Sequence, residues 1–259
     1  MAARAGGTGS NQYRTCSTTP GSFPSAAGLR SQAAASGTSG TSVPDERLAQ
    51  DPQWEVRLGV ARNSSTPPAV LERLAQDPQY VVRLGVARNS STPPSIMGRL
   101  AQDPLGAVRR GVAESRHAPP GVLEGLAGDP DGQVRRRVAG SRSTPASTLE
   151  RLAHDPNPAV RGLVARNRST PIGTLKELAR DPESYVRVGA AGNRSSPAGT
   201  LEMLASDPDP DVREGAAANR STPTSTLERL LQDPEVAEVA ADNPNLPHYT
   251  RALWQLATQ

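Results

Sequence analysis

The chain has 259 residues, a formal net charge of +3, 25 prolines and only 3% aromatic residues. A hydrophobic fraction of 35% built from such small side chains fills thin gaps between close-packed helices but not a thick interior, so an elongated architecture is expected instead of one large globular core. Cys16 is the one cysteine, which excludes an intramolecular disulfide and any cysteine-based metal site supplied by this chain alone; no stretch resembles a secretory signal or a membrane span, and a reducing cytoplasm fits.

In chain order, residues 1–43 come first. They are rich in Ser, Thr, Gly and Ala, with Tyr13, Phe23, Leu29 and Val43 as the only bulk, and read as a disordered low-complexity tail. Arg4, Arg14 and Arg30 precede the first acid, Asp45, so the tail holds the whole positive surplus and the remainder is neutral.

From residue 44 onward the sequence repeats itself every 26 residues, a period that means stacked units. Asp-Pro begins at Asp51 and recurs in steps of 26 as far as Asp233. A leucine column runs Leu48, Leu74, Leu100 and onward at the same step to Leu230 and Leu256. Val-Arg recurs from Val56 to Val212, and Asn63, Asn89, Ser115, Ser141, Asn167, Asn193 and Asn219 form a further column. Ser/Thr-Pro follows each of these, with Ala118-Pro119 as a relic.

Each unit holds two helix starts of one design, a short polar side chain followed by proline at the first helical position. After Pro78, the residues Val82, Gly85 and Val86 share a helical face, and the run ends near Asn89, a residue that tolerates the left-handed conformation. After Pro67, Val70, Leu71, Leu74 and Ala75 repeat the spacing in a shorter helix. Neither helix is long enough to be stable alone, so each buries its apolar stripe against the next unit, and about eight units form a solenoid. A glycine column (Gly59, Gly85, Gly111, Gly189, Gly215) is broken by Arg137 and Leu163, where irregular stacking is expected. The last stretch, about 234–259, rewrites Val-Arg as Val236-Ala237 and ends with Leu253, Trp254 and Leu256; Trp254 reads as a hydrophobic cap.

Taken together, these columns resemble the leucine-rich repeat variant family of bacterial proteins over about residues 44–259, with Arg83, Val86, Ala87, Asn89, Thr92-Pro93, Leu100-Ala101 and Asp103-Pro104 as a close instance. The resemblance implies an all-α, right-handed superhelix in which α-helices alternate with 3₁₀-like helices, related to armadillo and HEAT solenoids. A family member carries an iron–sulphur cluster on a cysteine-rich N-terminal segment. The tail here has Cys16 alone, and a cluster needs about four cysteine ligands, so that property does not transfer.

The arginine ladder from Arg57 to Arg213 recurs identically in every full unit and reads as structural, its guanidinium meeting the Asp of the Asp-Pro corner or helix-end carbonyls. Columns that vary between units are more informative about a partner. Arg110, Arg116, Arg136, Arg137, Arg142 and Arg168 make the middle units the most basic, either as a patch for an acidic protein surface or nucleic acid, or as solvated charge beside nearby acids such as Glu114 and Asp131. Trp54 and Tyr80 share a column, as partner anchors or as shields at the end of the stack. His117, His154 and His248 lie in different columns with no metal-ligand spacing, and no phosphate loop, nucleophile elbow or carboxylate pair stands out. The reading is a non-enzymatic protein-binding scaffold without cofactor, metal, membrane or small-molecule substrate; the alternative is a nucleic-acid-binding solenoid using the basic central repeats.

Overall fold

In the computed structural model, residues 43–258 are described, and they carry seventeen α-helices and no strand. The tail and Cys16 lie outside the described residues. All described helices fall within the unit that spans residues 40–259.

The repeat is a long helix followed by a short one. Nine-residue helices are α2 (Trp54–Arg62), α4 (Tyr80–Arg88), α6 (Gly106–Glu114), α8 (Gly132–Gly140), α10 (Pro158–Arg166), α12 (Ser184–Gly192) and α14 (Pro210–Ala218). Seven-residue helices are α3 (Pro68–Leu74), α5 (Pro94–Leu100), α7 (Pro120–Leu126), α9 (Ala146–Leu152), α11 (Ile172–Leu178), α13 (Ala198–Leu204) and α15 (Thr224–Leu230). The array opens with α1 (Val43–Leu48) and closes with α16 (Ala237–Asp242) and α17 (His248–Ala257). The short helices are α-helical throughout, and bonds of the tighter 3₁₀ type are confined to their ends, such as Val70 N–H to Pro67 O and Gln76 N–H to Arg73 O.

Each long helix packs directly on the long helix of the next unit, while the short helices chiefly meet long ones. The core between them is thin and repeats: Leu71, Leu74, Val82, Val86 and Ala87 are all buried, and so are their equivalents in the inner units, while Leu48 and Val56 at the open end are half-buried. Burying each large aliphatic side chain contributes roughly 1.5–3 kcal/mol, which no unit collects without a neighbour. Glycine at the long-helix contact permits the close approach. A Cβ on Gly189 would lie 2.8 Å from the Ala165 Cβ and 3.0 Å from the Gly162 carbonyl oxygen, whereas Gly59 at the first unit faces open space. Where Arg137 replaces glycine, α8 packs less closely on α6 than the other nine-residue helices pack on theirs, and the guanidinium turns out to solvent to meet Glu114 at 3.0 Å.

Four local expectations are corrected. Asp-Pro does not open the long helix at proline: Asp77 Oδ1 accepts the N–H of Gln79 at 2.8 Å, closing a turn, and the helix begins at Tyr80. Nor does the threonine of Thr-Pro cap forward. Its hydroxyl donates back to the carbonyl six residues earlier, as from Thr92 to Val86 at 2.6 Å, so it closes the end of the long helix, and Pro93 is the N-cap of α5. Asn89 is extended (φ −74°, ψ 129°), not left-handed, because its side chain is drawn into the preceding unit.

The fourth correction concerns the end of the array. Two residues are missing between Asp233 and the buried Val236, compared with Asp207 and Val212, so every later column is shifted. Asn243 therefore repeats the bonding of Asn219, Trp254 takes the slot of Leu230, half-buried against the core, and Leu256 is exposed. Arg251 falls where other units bury a leucine, and its Nη2 donates to the Asn243 carbonyl at 2.9 Å, an acceptor position that the next asparagine fills elsewhere.

Candidate functional site

Internal bonding explains which side chains remain available. The guanidinium of Arg57 donates from Nε to Asp77 Oδ2 at 2.6 Å and from Nη2 to Asp77 Oδ1 at 3.0 Å, a two-pronged pair. Its Nη1 donates to the carbonyls of Asp51 and Pro52, so one arginine joins the corner of its own unit to the corner of the next. The same arrangement recurs with Arg83, Arg109, Arg135, Arg161 and Arg187, at 2.6–2.7 Å from Nε to the carboxylate, and both partners are largely buried. Arg213 departs from it only in sharing itself between Asp233 and Glu235.

Electrostatics follow from this geometry. For Asp129, Asp181 and Asp207, burial pushes the carboxyl up, yet the arginine hydrogen bond and a backbone N–H outweigh it and the carboxyl ends below its ordinary value. The more exposed Asp233 is lowered chiefly by Arg213. These groups are permanently ionised structural pairs, unsuited to proton transfer near neutrality.

A second ladder uses asparagine. Asn89 Nδ2 donates to the carbonyls of Ala61 and Asn63 in the preceding unit, at 2.7 and 2.9 Å, while its Oδ1 accepts from Ser91 N–H. Asn167, Asn193, Asn219 and Asn243 repeat the arrangement. Ser115 and Ser141 are too short to do so, and each instead accepts a local N–H at 3.4 Å. The arginine and aspartate columns, and the asparagine column where it is kept, are thus consumed in joining one unit to the next, and the threonine hydroxyls in closing the long helices.

The residues singled out for binding lie on two parts of the surface. Arg110 and Arg136 are half-buried in the middle of α6 and α8, with the exposed Arg137 beside them in its ion pair with Glu114. Arg116, Arg142 and Arg168 are exposed in the loops that follow the long helices, and the row continues through exposed Arg194 and Arg220. The sequence signal for those last two was already present in the same column. Trp54 (37% exposed) and Tyr80 (43%) stand at the first position of α2 and α4, and the exposed Leu105 lies just before α6. Tyr185 differs from them: its ring covers Gly162, the Arg166 guanidinium lies 4.5 Å from the ring centre, and Arg166 Nη1 donates to its hydroxyl at 3.1 Å.

Among the described residues no cluster of His, Cys, Asp or Glu is arranged to hold a metal, and the three histidines stay apart; His154 lies 3.8 Å from Glu177 with both side chains exposed. No helix among the described residues is long and apolar enough to cross a membrane.

Comparison with known proteins agrees with this architecture. The family model "Leucine rich repeat variant" matches residues 54–79, 106–131, 158–183 and 210–235, every second unit of the array. A solved structure described as a leucine-rich repeat variant with a novel repetitive structural motif is 32% identical over 76% of this chain and 79% of its own, with a TM-score of 0.59. Escherichia coli YibA is 18% identical over 86% of this chain and 96% of its own, at a TM-score of 0.46, and an engineered protein is 19% identical over 85% and 80%, at 0.44. Among curated proteins nothing matches. With its 26-residue helix pairs, its two internal ladders and this identity to a solved member, the chain belongs to the leucine-rich repeat variant family.

Proposed function

We propose that the repeat array is a non-enzymatic scaffold that binds a protein partner through the side chains its stacking leaves free. One observation carries this: the arginine and aspartate that recur in every full unit are spent inside the array, while Arg116, Arg142 and Arg168 in the variable loop column, Trp54 and Tyr80 at the helix entries and Arg137 are exposed, with Arg110 and Arg136 half-buried. Variation confined to surface positions of a fixed frame is how repeat proteins present a specific face to a partner. A cytoplasmic setting belongs to the same proposal, since ion pairs and hydrogen bonds tie the units together without a disulfide.

The test is capture from native lysate with the full chain, compared with one variant that removes both aromatic residues (Trp54→Ala, Tyr80→Ala) and one that replaces the six arginines by serine. A stoichiometric protein that is retained by the wild type and lost with either variant supports the reading. Capture unaffected by both, or no protein captured at stoichiometric level, contradicts it.

A further inference from the structure

The two edges of the array carry different charge. At the edge where long helices begin, the ladder aspartates from Asp77 on are matched by the ladder arginines, and Asp131, Glu183, Asp209 and Asp211 stand beside them as further acids. At the opposite edge, where long helices end and the chain turns into the short ones, five consecutive units present Arg116, Arg142, Arg168, Arg194 and Arg220. All five are exposed, and among the described residues none meets a carboxylate. A nine-residue helix is about 13 Å long, beyond the roughly 8 Å screening length of physiological salt, so the acids of the far edge do not neutralise this row.

Stacking does not require these arginines. The first two full units have Ser64 and Ser90 in the same column, and the last has Pro244, yet Thr66 and Thr92 still close their long helices and Asn89 and Asn243 still bond to the preceding unit. The row is therefore a bounded block of five placed on a frame indifferent to it. Flanking each arginine is a small polar residue, Ser143, Ser169, Ser195 or Ser221, with His117 at the first.

We propose that this arginine edge binds an extended acidic segment of the protein partner, with a carboxylate at about every third residue. This deepens the scaffold reading above and rests on it. Adjacent stacked helices lie roughly 8–10 Å apart, and one three-residue turn of extended polyproline II chain spans about 9 Å and returns its side chains to the same face, so one carboxylate meets one arginine per unit without either chain being distorted. The hydroxyls of Ser143, Ser169 and Ser195, beside the arginines, match the backbone amides and carbonyls of such a segment. A nucleic-acid strand fits less well, because strand binders pair their basic groove with a series of aromatic platforms for the bases, and the loops bearing these arginines hold no Phe, Tyr or Trp and a single His117.

Fluorescence anisotropy with the full chain tests this at low and at physiological salt. The probes are a labelled peptide with glutamate at every third position and glycine or serine between, an isomer with the same glutamates in one block, and a single-stranded oligonucleotide of equal charge. The variant is Arg116→Ser, Arg142→Ser, Arg168→Ser, Arg194→Ser and Arg220→Ser together, which installs the residue two units already carry; its thermal unfolding is expected to match the wild type. The expected result is tighter binding of the spaced peptide than of the block isomer, and a loss of roughly ten- to thirty-fold in affinity in the variant, from five exposed pairs each of modest strength. Equal binding of both isomers, no loss in the variant, or preference for the oligonucleotide overturns the proposal. If the variant still captures a stoichiometric lysate protein lost on Trp54→Ala and Tyr80→Ala, the edge assignment falls and the scaffold reading stands; if capture fails for every form, both fall.

Discussion

Replacing Arg187 by methionine removes one rung of the ladder between units while leaving a side chain of similar length. The wild-type guanidinium donates to Asp207 Oδ2 at 2.7 Å and Oδ1 at 2.8 Å, and to the carbonyls of Asp181 and Pro182 at 2.9 and 3.0 Å. Its loss strands a carboxylate whose side chain is only 8% exposed and whose remaining partner is the backbone N–H of Asp209. Breaking one partner of a fully buried pair costs about 3–5 kcal/mol, and partial solvent contact reduces this to about 2–4 kcal/mol here. Removing the stranded charge as well, with Arg187→Met and Asp207→Asn together, should return about 1–2 kcal/mol, since much of the single-mutant penalty is the unpaired carboxylate. The same replacement at Arg213 should cost about half as much, because Asp233 is 22% exposed and solvates itself more readily. Urea unfolding followed by far-UV circular dichroism, fitted to a nearest-neighbour model because arrays need not unfold in two states, reads all of these. A shift below about 0.5 kcal/mol for Arg187→Met, or strictly additive single changes, would show that the ladder does not couple adjacent units.

Three further outcomes follow from named contacts. Gly189→Ala should destabilise by about 1–2 kcal/mol, because its Cβ meets the Gly162 carbonyl oxygen at 3.0 Å, while Gly59→Ala, facing open space, should stabilise by about 0.5–1 kcal/mol; equal effects in thermal unfolding would refute the close-packing role of the column. Ser141→Asn should stabilise by about 1 kcal/mol, by reaching the carbonyls of Ala113 and Ser115 as Asn167 reaches those of Ala139 and Ser141; no gain in the unfolding midpoint would contradict the asparagine ladder. Asp129, Asp181, Asp207 and Asp233 have folded-state values below their unfolded ones, so their contribution is complete above about pH 5 and is lost as pH falls through about 4 and below. The acid limb of a stability profile should accordingly flatten in Asp207→Asn; a profile identical to the wild type would refute this. The arginines, raised further by their partners, add no alkaline limb within a usable range.

The fold was legible because every stacking requirement leaves a mark at the same phase: buried Leu and Val columns, a glycine where helices touch, and paired Arg and Asp at a fixed offset. Direction was harder to see. Nothing in Thr-Pro says whether the hydroxyl caps the helix ahead or closes the one behind, and only the structure shows Thr92 turning back to Val86. Asn89 suggests by its residue type a left-handed helix end, whereas its role depends on carbonyls of another unit, 26 and 28 residues away. The shift at the end was marked in the sequence, since Asn243 and Pro247 keep the spacing of Asn219 and Pro223, but a strict 26-residue grid pointed to Leu256 instead of Trp254. For the binding surface, the sequence shows two varying columns, one with Arg110 and Arg136 and one running from Arg116 to Arg220; it does not show that the first is half-buried in mid-helix and the second exposed in the loops.

The account depends on each unit being held by its neighbours alone, and excising one whole unit tests this most directly. Removing residues 103–128 joins Gln102 to Asp129 and sets Arg83 against Asp129 at the offset it now has to Asp103. Far-UV circular dichroism of the shortened chain should show the same helical signal per residue and a cooperative urea transition at a modestly lower midpoint. Loss of most of the helical signal would mean that the units are not interchangeable modules and that the fold depends on contacts beyond the nearest neighbour.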